Sequence, residues 1–170
     1  YFQYQNIPEK ELEKNISETL LKVYYWCSEE GFRDKIKSNI KLSSGLLDGI
    51  PLPDKNRLKW LNSKFIKKLI KDFEKSGFRG SLNRYRAQNL DWEELIELDN
   101  LNVSQPSIFI GGEHDPVRSF IKDYDAFKNA GKYCTNFKGS FVIENAGHWV
   151  QQEQPNEVNR IIGNFLKQLA

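Results

Sequence analysis

Hydrophobic positions along the chain change their spacing near residue 100. Before it, apolar residues recur every three or four positions; after it, short unbroken apolar runs alternate with helical stretches. Leu12, Ile16, Leu20 and Val23 fall on one face at helical spacing. Pro8 suits the start of that helix, and Glu9, Glu11 and Glu13 lie where the positive end of a helix dipole favours acids. The stretch closes in Tyr24-Tyr25-Trp26 and predicts a helix packed beneath other elements. Residues 38–56 predict a loop, since Ser43-Ser44-Gly45, Gly49, Pro51, Pro53 and Asp54 are turn and breaker residues. Leu46, Leu47, Ile50 and Leu52 make it unusually apolar, as in a loop folded back over a pocket. A second helix is predicted over 62–75, with Phe65, Ile66, Leu69, Ile70 and Phe73 inward, lysines outward and Ser76-Gly77 as its end. A third helical stretch, 82–89, carries Tyr85, and an acidic stretch, 89–100, offers Trp92 and Leu95 as core contacts.

Beyond Val103 the pattern is strand, helix, strand, helix. Pro106-Ser107-Ile108-Phe109-Ile110 is a β-rich apolar run ending in Gly111-Gly112. Ser140-Phe141-Val142-Ile143-Glu144 is a second, closed by Asn145-Ala146-Gly147. Both read as buried strands of a parallel sheet. A helix is expected over 123–130, and Pro155 opens a final one with Val158, Ile162, Phe165 and Leu169 on one face. Such alternation specifies the α/β class, with a helical region at 1–100 and an α/β region at 101–170. Two parallel strands do not make a stable sheet of this type alone, so further strands are expected from outside the sequence.

Composition narrows the function classes. Charged residues make up 28% and the net charge is +2, so there is no basic excess of the kind a nucleic-acid partner requires. No apolar run approaches the ~18 residues of a membrane span. The opening Tyr1-Phe2-Gln3-Tyr4-Gln5 has neither the basic nor the apolar region of a signal peptide. Two cysteines, Cys27 and Cys134, are too few for a disulfide framework, and reduced thiols imply a cytoplasmic protein. The sequence contains no methionine, so Tyr1 is expected not to be a translation start.

Two segments carry chemistry, each just after a predicted strand: Gly111-Gly112-Glu113-His114-Asp115-Pro116-Val117 and Asn145-Ala146-Gly147-His148-Trp149. Ligands and reactive groups gather at the carboxyl ends of parallel strands, which puts Asp115 and His148 at one sheet edge. A carboxylate can hold one imidazole nitrogen in a fixed tautomer and free the other to act as a base. His114, directly before Asp115, is expected to point elsewhere. Two histidines without clustered cysteines or close carboxylates predict no metal site.

The order acid then histidine, with Gly-Gly-Glu-His-Asp-Pro-Val and Ala-Gly-His-Trp-Val-Gln-Gln-Glu-Gln-Pro, resembles the C-terminal end of the α/β-hydrolase fold. The His-Trp segment is especially similar to soluble epoxide hydrolases and their haloalkane dehalogenase relatives. Ser76-Gly77-Phe78-Arg79-Gly80, then Leu82-Asn83-Arg84-Tyr85-Arg86, resembles the epoxide hydrolase cap, as does Tyr1-Phe2-Gln3. The resemblance implies a C-terminal portion of the fold: a helical cap (lid) over 1–100, the end of the core over 101–170, and the N-terminal half of the sheet supplied from elsewhere. It implies a small apolar epoxide and water as reactants, with no cofactor. An Asp nucleophile would open the epoxide as a covalent ester, Tyr85 would donate to the epoxide oxygen, and His148, oriented by Asp115, would activate water. Val117 and Trp149 are candidates to line the substrate pocket. No Gly-x-Asp-x-Gly turn occurs in the sequence, so the nucleophile is expected outside it and the chain alone is expected to be inactive. Another hydrolase of the same fold, such as a haloalkane dehalogenase or serine esterase, and a non-catalytic remnant stay open as alternatives.

Overall fold

A computed structural model describes residues 1–36, 45–54, 56–98 and 102–169. The chain divides into two units, one of Tyr1–Trp26 with Lys35–Asp99, the other of Cys27–Asp34 with Asn100–Ala170. Its elements are, in chain order, α1 (Ile7–Leu12), α2 (Ile16–Trp26), α3 (Glu29–Arg33), α4 (Ser63–Ser76), α5 (Arg79–Arg86), α6 (Gln88–Leu95), β1 (Ser107–Gly112), β2 (Phe137–Ile143), α7 (Val150–Glu153) and α8 (Pro155–Lys167).

The first unit is helical. The continuous apolar face expected from Leu12 to Val23 is broken into α1 and α2. Asn15 makes the break: its Oδ1 accepts from the Glu18 N–H at 3.1 Å, an N-terminal cap that restarts the helix. Thr19, almost fully buried, returns its hydroxyl to the Leu12 carbonyl at 2.8 Å, satisfying an acceptor that the end of α1 leaves free. α4 forms where its pattern predicts, although Phe65, expected on the inward face, is exposed. Asn62 Oδ1 accepts from the Lys64 and Phe65 N–H groups at 2.9 and 3.1 Å, and Gly77, at φ 64°, ends the helix. Ile66, Leu69, Ile70 and Phe73 pack on a core of Leu12, Leu20, Leu46, Phe78 and Leu82.

The apolar loop contributes to that core, although residues 37–44 and 55, with Ser43 and Ser44, lie outside the described residues. Glu11 explains its course: Oε2 and Oε1 accept from the Leu46 and Leu47 N–H groups at 3.0 and 2.8 Å. Leu46 and Ile50 are buried, whereas Leu52 is exposed. The helix expected over 82–89 is two helices, α5 and α6. Trp92 and Leu95 are not core contacts: they are 74% and 54% exposed, because α6 buries no residue.

In the second unit β1 and β2 pair in parallel, in a register that runs from Ile108↔Gly139 to Gly112↔Ile143. α8 covers the pair with Val158 and Ile161, which pack with Ile143, Ala146 and Val150 and against Ile108 and Ile110. The buried face of α8 is therefore turned by one residue from the expected one, and Ile162 and Leu169 are exposed. β2 is less buried than its sequence suggests, with Phe141 and Val142 open to solvent. The helix expected over 123–130 is a single 3₁₀ turn, Ala126–Asn129. Asp123 adopts a left-handed φ of 60° that no helix tolerates, and Asp125 caps the turn through the Phe127 and Lys128 N–H groups at 3.0 and 3.4 Å. Among the described residues no helix is long and apolar enough to cross a membrane.

Candidate active site

The pairing of Gly112 with Ile143 brings the ends of β1 and β2 side by side. The loops that follow stay joined: the Glu113 N–H donates to the Ile143 carbonyl at 2.9 Å and the His114 N–H to the Ala146 carbonyl at 3.0 Å. Gly112 permits this, since a Cβ there would lie 2.1 Å from the Gly147 carbonyl oxygen. Asp115 then starts a 3₁₀ turn, Pro116–Ser119, its Oδ1 accepting from the Val117 N–H at 2.8 Å.

The two loops bring Asp115 and His148 together. His148 Nδ1 stands 3.0 Å from both carboxylate oxygens of Asp115. A carboxylate only accepts, so Nδ1 carries the proton and Nε2 keeps its lone pair. The Asp115 side chain is 12% exposed and that of His148 40%, which leaves the imidazole open on one side. The Asp115 hydrogen bond raises the His148 pKa above its usual 6.5; burial opposes this, and the charges of Asp115 and Glu153 add to it. Such a pair can take a proton from water or another weak acid at Nε2 and hold the resulting imidazolium against Asp115.

Known proteins share this arrangement of elements. Epoxide hydrolase A of Mycobacterium tuberculosis is 31% identical over 168 residues, covering 98% of this chain and 50% of the relative. Bifunctional epoxide hydrolase 2 of Mus musculus is 32% identical over 167 residues, covering 98% of this chain and 29% of the relative. The crystal structure of Epoxide Hydrolase A from Mycobacterium thermoresistibile superposes with a TM-score of 0.81 at 27% identity, over 98% of this chain and 50% of that one. The chain shares the α/β-hydrolase fold with these proteins and is similar to epoxide hydrolases over nearly its whole length. It spans half the length or less of these relatives. No protein-family model matches it.

In this epoxide hydrolase relative the remaining predicted residues fall as follows. Val117 follows the acid and is exposed, and Trp149 follows the base, its ring edge-on to the imidazole at 5.0 Å between centroids. Both therefore flank the pair. Tyr85 lies on α5 in the first unit, exposed and stacked on Phe2 with 4.6 Å between ring centroids. His114 does turn away from the pair: its Nδ1 meets Glu29 Oε2 at 2.5 Å, and its ring stacks on Phe32 at 3.7 Å. Among the described residues no group of three or more His, Cys, Asp or Glu side chains is placed to hold a metal.

Two contributors were not singled out in the sequence. The first is the segment Cys27–Asp34, which the helical pattern of residues 1–100 conceals; here the Cys27 carbonyl accepts from the His148 N–H at 2.8 Å. The second is Glu153, whose carboxylate reaches back to the loop that carries His148. Its signal was an acid four residues past the N-cap of a short helix, a near relative of the capping box.

Proposed function

We propose that the protein carrying this chain adds water to small apolar epoxides without a cofactor. The carboxylate of an Asp outside this sequence attacks an epoxide carbon and the ring C–O bond breaks. Tyr85 donates its phenolic hydrogen to the oxygen as charge develops there. His148 Nε2 then takes a proton from water; the hydroxide attacks the ester carbonyl, the diol departs and the carboxylate is regenerated. Asp115 orients the imidazole and stabilises its charged form, and Val117 and Trp149 present apolar surface to the substrate. Residues 1–100 act as the cap and 101–170 as the end of the core. The chain alone lacks the activity because its sequence holds no nucleophile turn. The two thiols, free in this structure, support a cytoplasmic setting.

The contact of His148 Nδ1 with both Asp115 oxygens is the observation that carries this reading. A nucleophile–base–acid hydrolase of another specificity would need the same pair but not the phenol. Tyr85→Phe in the intact enzyme decides between them. Diol formation from an aryl epoxide should fall roughly 10²-fold, the size of one lost donor to a developing oxyanion. An unchanged rate would mean that Tyr85 has no part in the chemistry and that the pair serves another hydrolytic reaction.

A further inference from the structure

Three consecutive backbone N–H groups around His148 are all committed. Gly147 N–H donates to Glu153 Oε2 at 3.0 Å, His148 N–H to the Cys27 carbonyl at 2.8 Å, and Trp149 N–H to Glu153 Oε1 at 3.0 Å. Glu153 Oε2 also accepts from the Glu29 N–H at 2.8 Å, at the start of α3. One carboxylate therefore grips the loop on both sides of His148 and fastens it to α3.

α3 is in turn attached to both site loops. Glu29 Oε2 meets His114 Nδ1, next to Asp115, and Glu29 Oε1 accepts from Arg33 Nε at 2.6 Å. Arg33 Nη2 donates to Asn145 Oδ1 at 2.5 Å, three residues before His148. There is no room for a looser arrangement: a Cβ on Gly147 would sit 2.5 Å from the Cys27 carbonyl oxygen and 2.8 Å from the Glu29 nitrogen.

We propose that Glu153 is a positioning residue for His148, its carboxylate fixing the backbone on either side so that the imidazole is aimed at Asp115. The assignment rests on the reading of His148 as the water-activating base. Glutamine at 153 keeps the size but offers a single acceptor oxygen and turns an NH₂ toward a backbone N–H, so at least one of the loop bonds is lost. It also removes a negative charge near the imidazole.

The test is NMR on Glu153→Gln in the intact protein, with circular dichroism to establish that it is folded. Amide exchange at Gly147 or Trp149 should quicken about tenfold or more, as expected for a lost charge-assisted bond. The His148 titration midpoint should fall by about 0.5 pH unit or more. An unchanged His148 midpoint in a folded E153Q protein, whatever its melting temperature, would overturn the proposal and leave Glu153 a helix cap. A second measurement needs no variant: in the wild type the amide signals of Glu29, Gly147 and Trp149 should share one pH midpoint, that of the Glu153 carboxyl. Three unrelated midpoints would overturn the proposal as well. Neither readout uses substrate, so a wild-type protein inert toward epoxides would sink the proposed function while leaving this assignment standing.

Discussion

Replacing Gly112 by alanine tests how closely the two site loops are fitted. The added Cβ would lie 2.1 Å from the Gly147 carbonyl oxygen, 2.5 Å from that of Ala146 and 2.7 Å from the Ala146 carbonyl carbon. All three are backbone atoms, so no rotamer change relieves the clash. Opening the shortest distance from 2.1 to 3.0 Å, below which real Cβ atoms are essentially never found, takes a movement of about 0.9 Å. It falls on the loop that carries His148 and strains the bonds from Glu113 N–H to Ile143 and from His114 N–H to Ala146. Overpacking of this kind costs about 1–3 kcal/mol, and a weakened backbone hydrogen bond adds about 1 kcal/mol. A total near 2–4 kcal/mol lowers the melting temperature by roughly 4–16 °C in a chain of this size. Gly163→Ala is the control, because it lies within α8 with no atom in reach of a new Cβ. It should gain about 0.5–1 kcal/mol by restricting the unfolded chain. Scanning calorimetry of both variants reads the difference. A Gly112→Ala protein melting as high as wild type would refute the reasoning.

Other predictions follow from the same geometry. Ile161→Ala should cost about 2–4 kcal/mol in urea denaturation, since Ile161 is buried among Ile143, Ala146, Val150 and Val158, whereas Ile162→Ala, on the exposed face, should cost under about 1 kcal/mol. Burial pushes the Cys27 thiol up to about 12, so iodoacetamide at pH 8 should leave Cys27 unmodified in the native protein; peptide mass spectrometry showing rapid labelling there would contradict the packing around it. The His148 pKa is raised by Asp115, so hydrolysis should increase with pH along a limb whose midpoint lies above 6.5; a midpoint at or below 6.5 would mean that the Asp115 contact is not made in solution. The same shift stabilises the fold in full below 6.5, where the imidazole is charged in both states, and that contribution disappears as pH rises through the folded value.

The strand ends and the pair they carry were legible because their signals are local. Ile108–Ile110 and Phe141–Ile143 are unbroken apolar runs, each followed by small residues and then by Asp115 or His148, and parallel pairing does the rest. α4 was legible because a strong apolar face, a capping Asn62 and a terminating Gly77 agree. Periodicity failed where a single polar residue outweighed it: Asn15 caps α2 and splits a face that spacing alone would run together. It failed again at Trp92 and Leu95, whose apolar character says nothing about which surface covers them. Cys27–Asp34 was hidden for another reason. Its bonds, from Cys27 to His148 and from Glu29 to Glu153, join residues 121 and 124 positions apart, and no spacing rule reaches that far. Glu153 lies only six and four positions from Gly147 and Trp149, to which it bonds, but a lone acid after a short helix start does not reveal that it holds a site loop.

Diol release and intact mass after mixing the whole protein with an aryl epoxide, wild type against His148→Gln, test the proposed function most directly. The mechanism predicts that the variant releases diol roughly 10²–10⁴-fold more slowly while retaining one equivalent of substrate as a covalent ester. Release of diol by the variant at the wild-type rate would show that His148, held by Asp115, is not the base that completes the reaction.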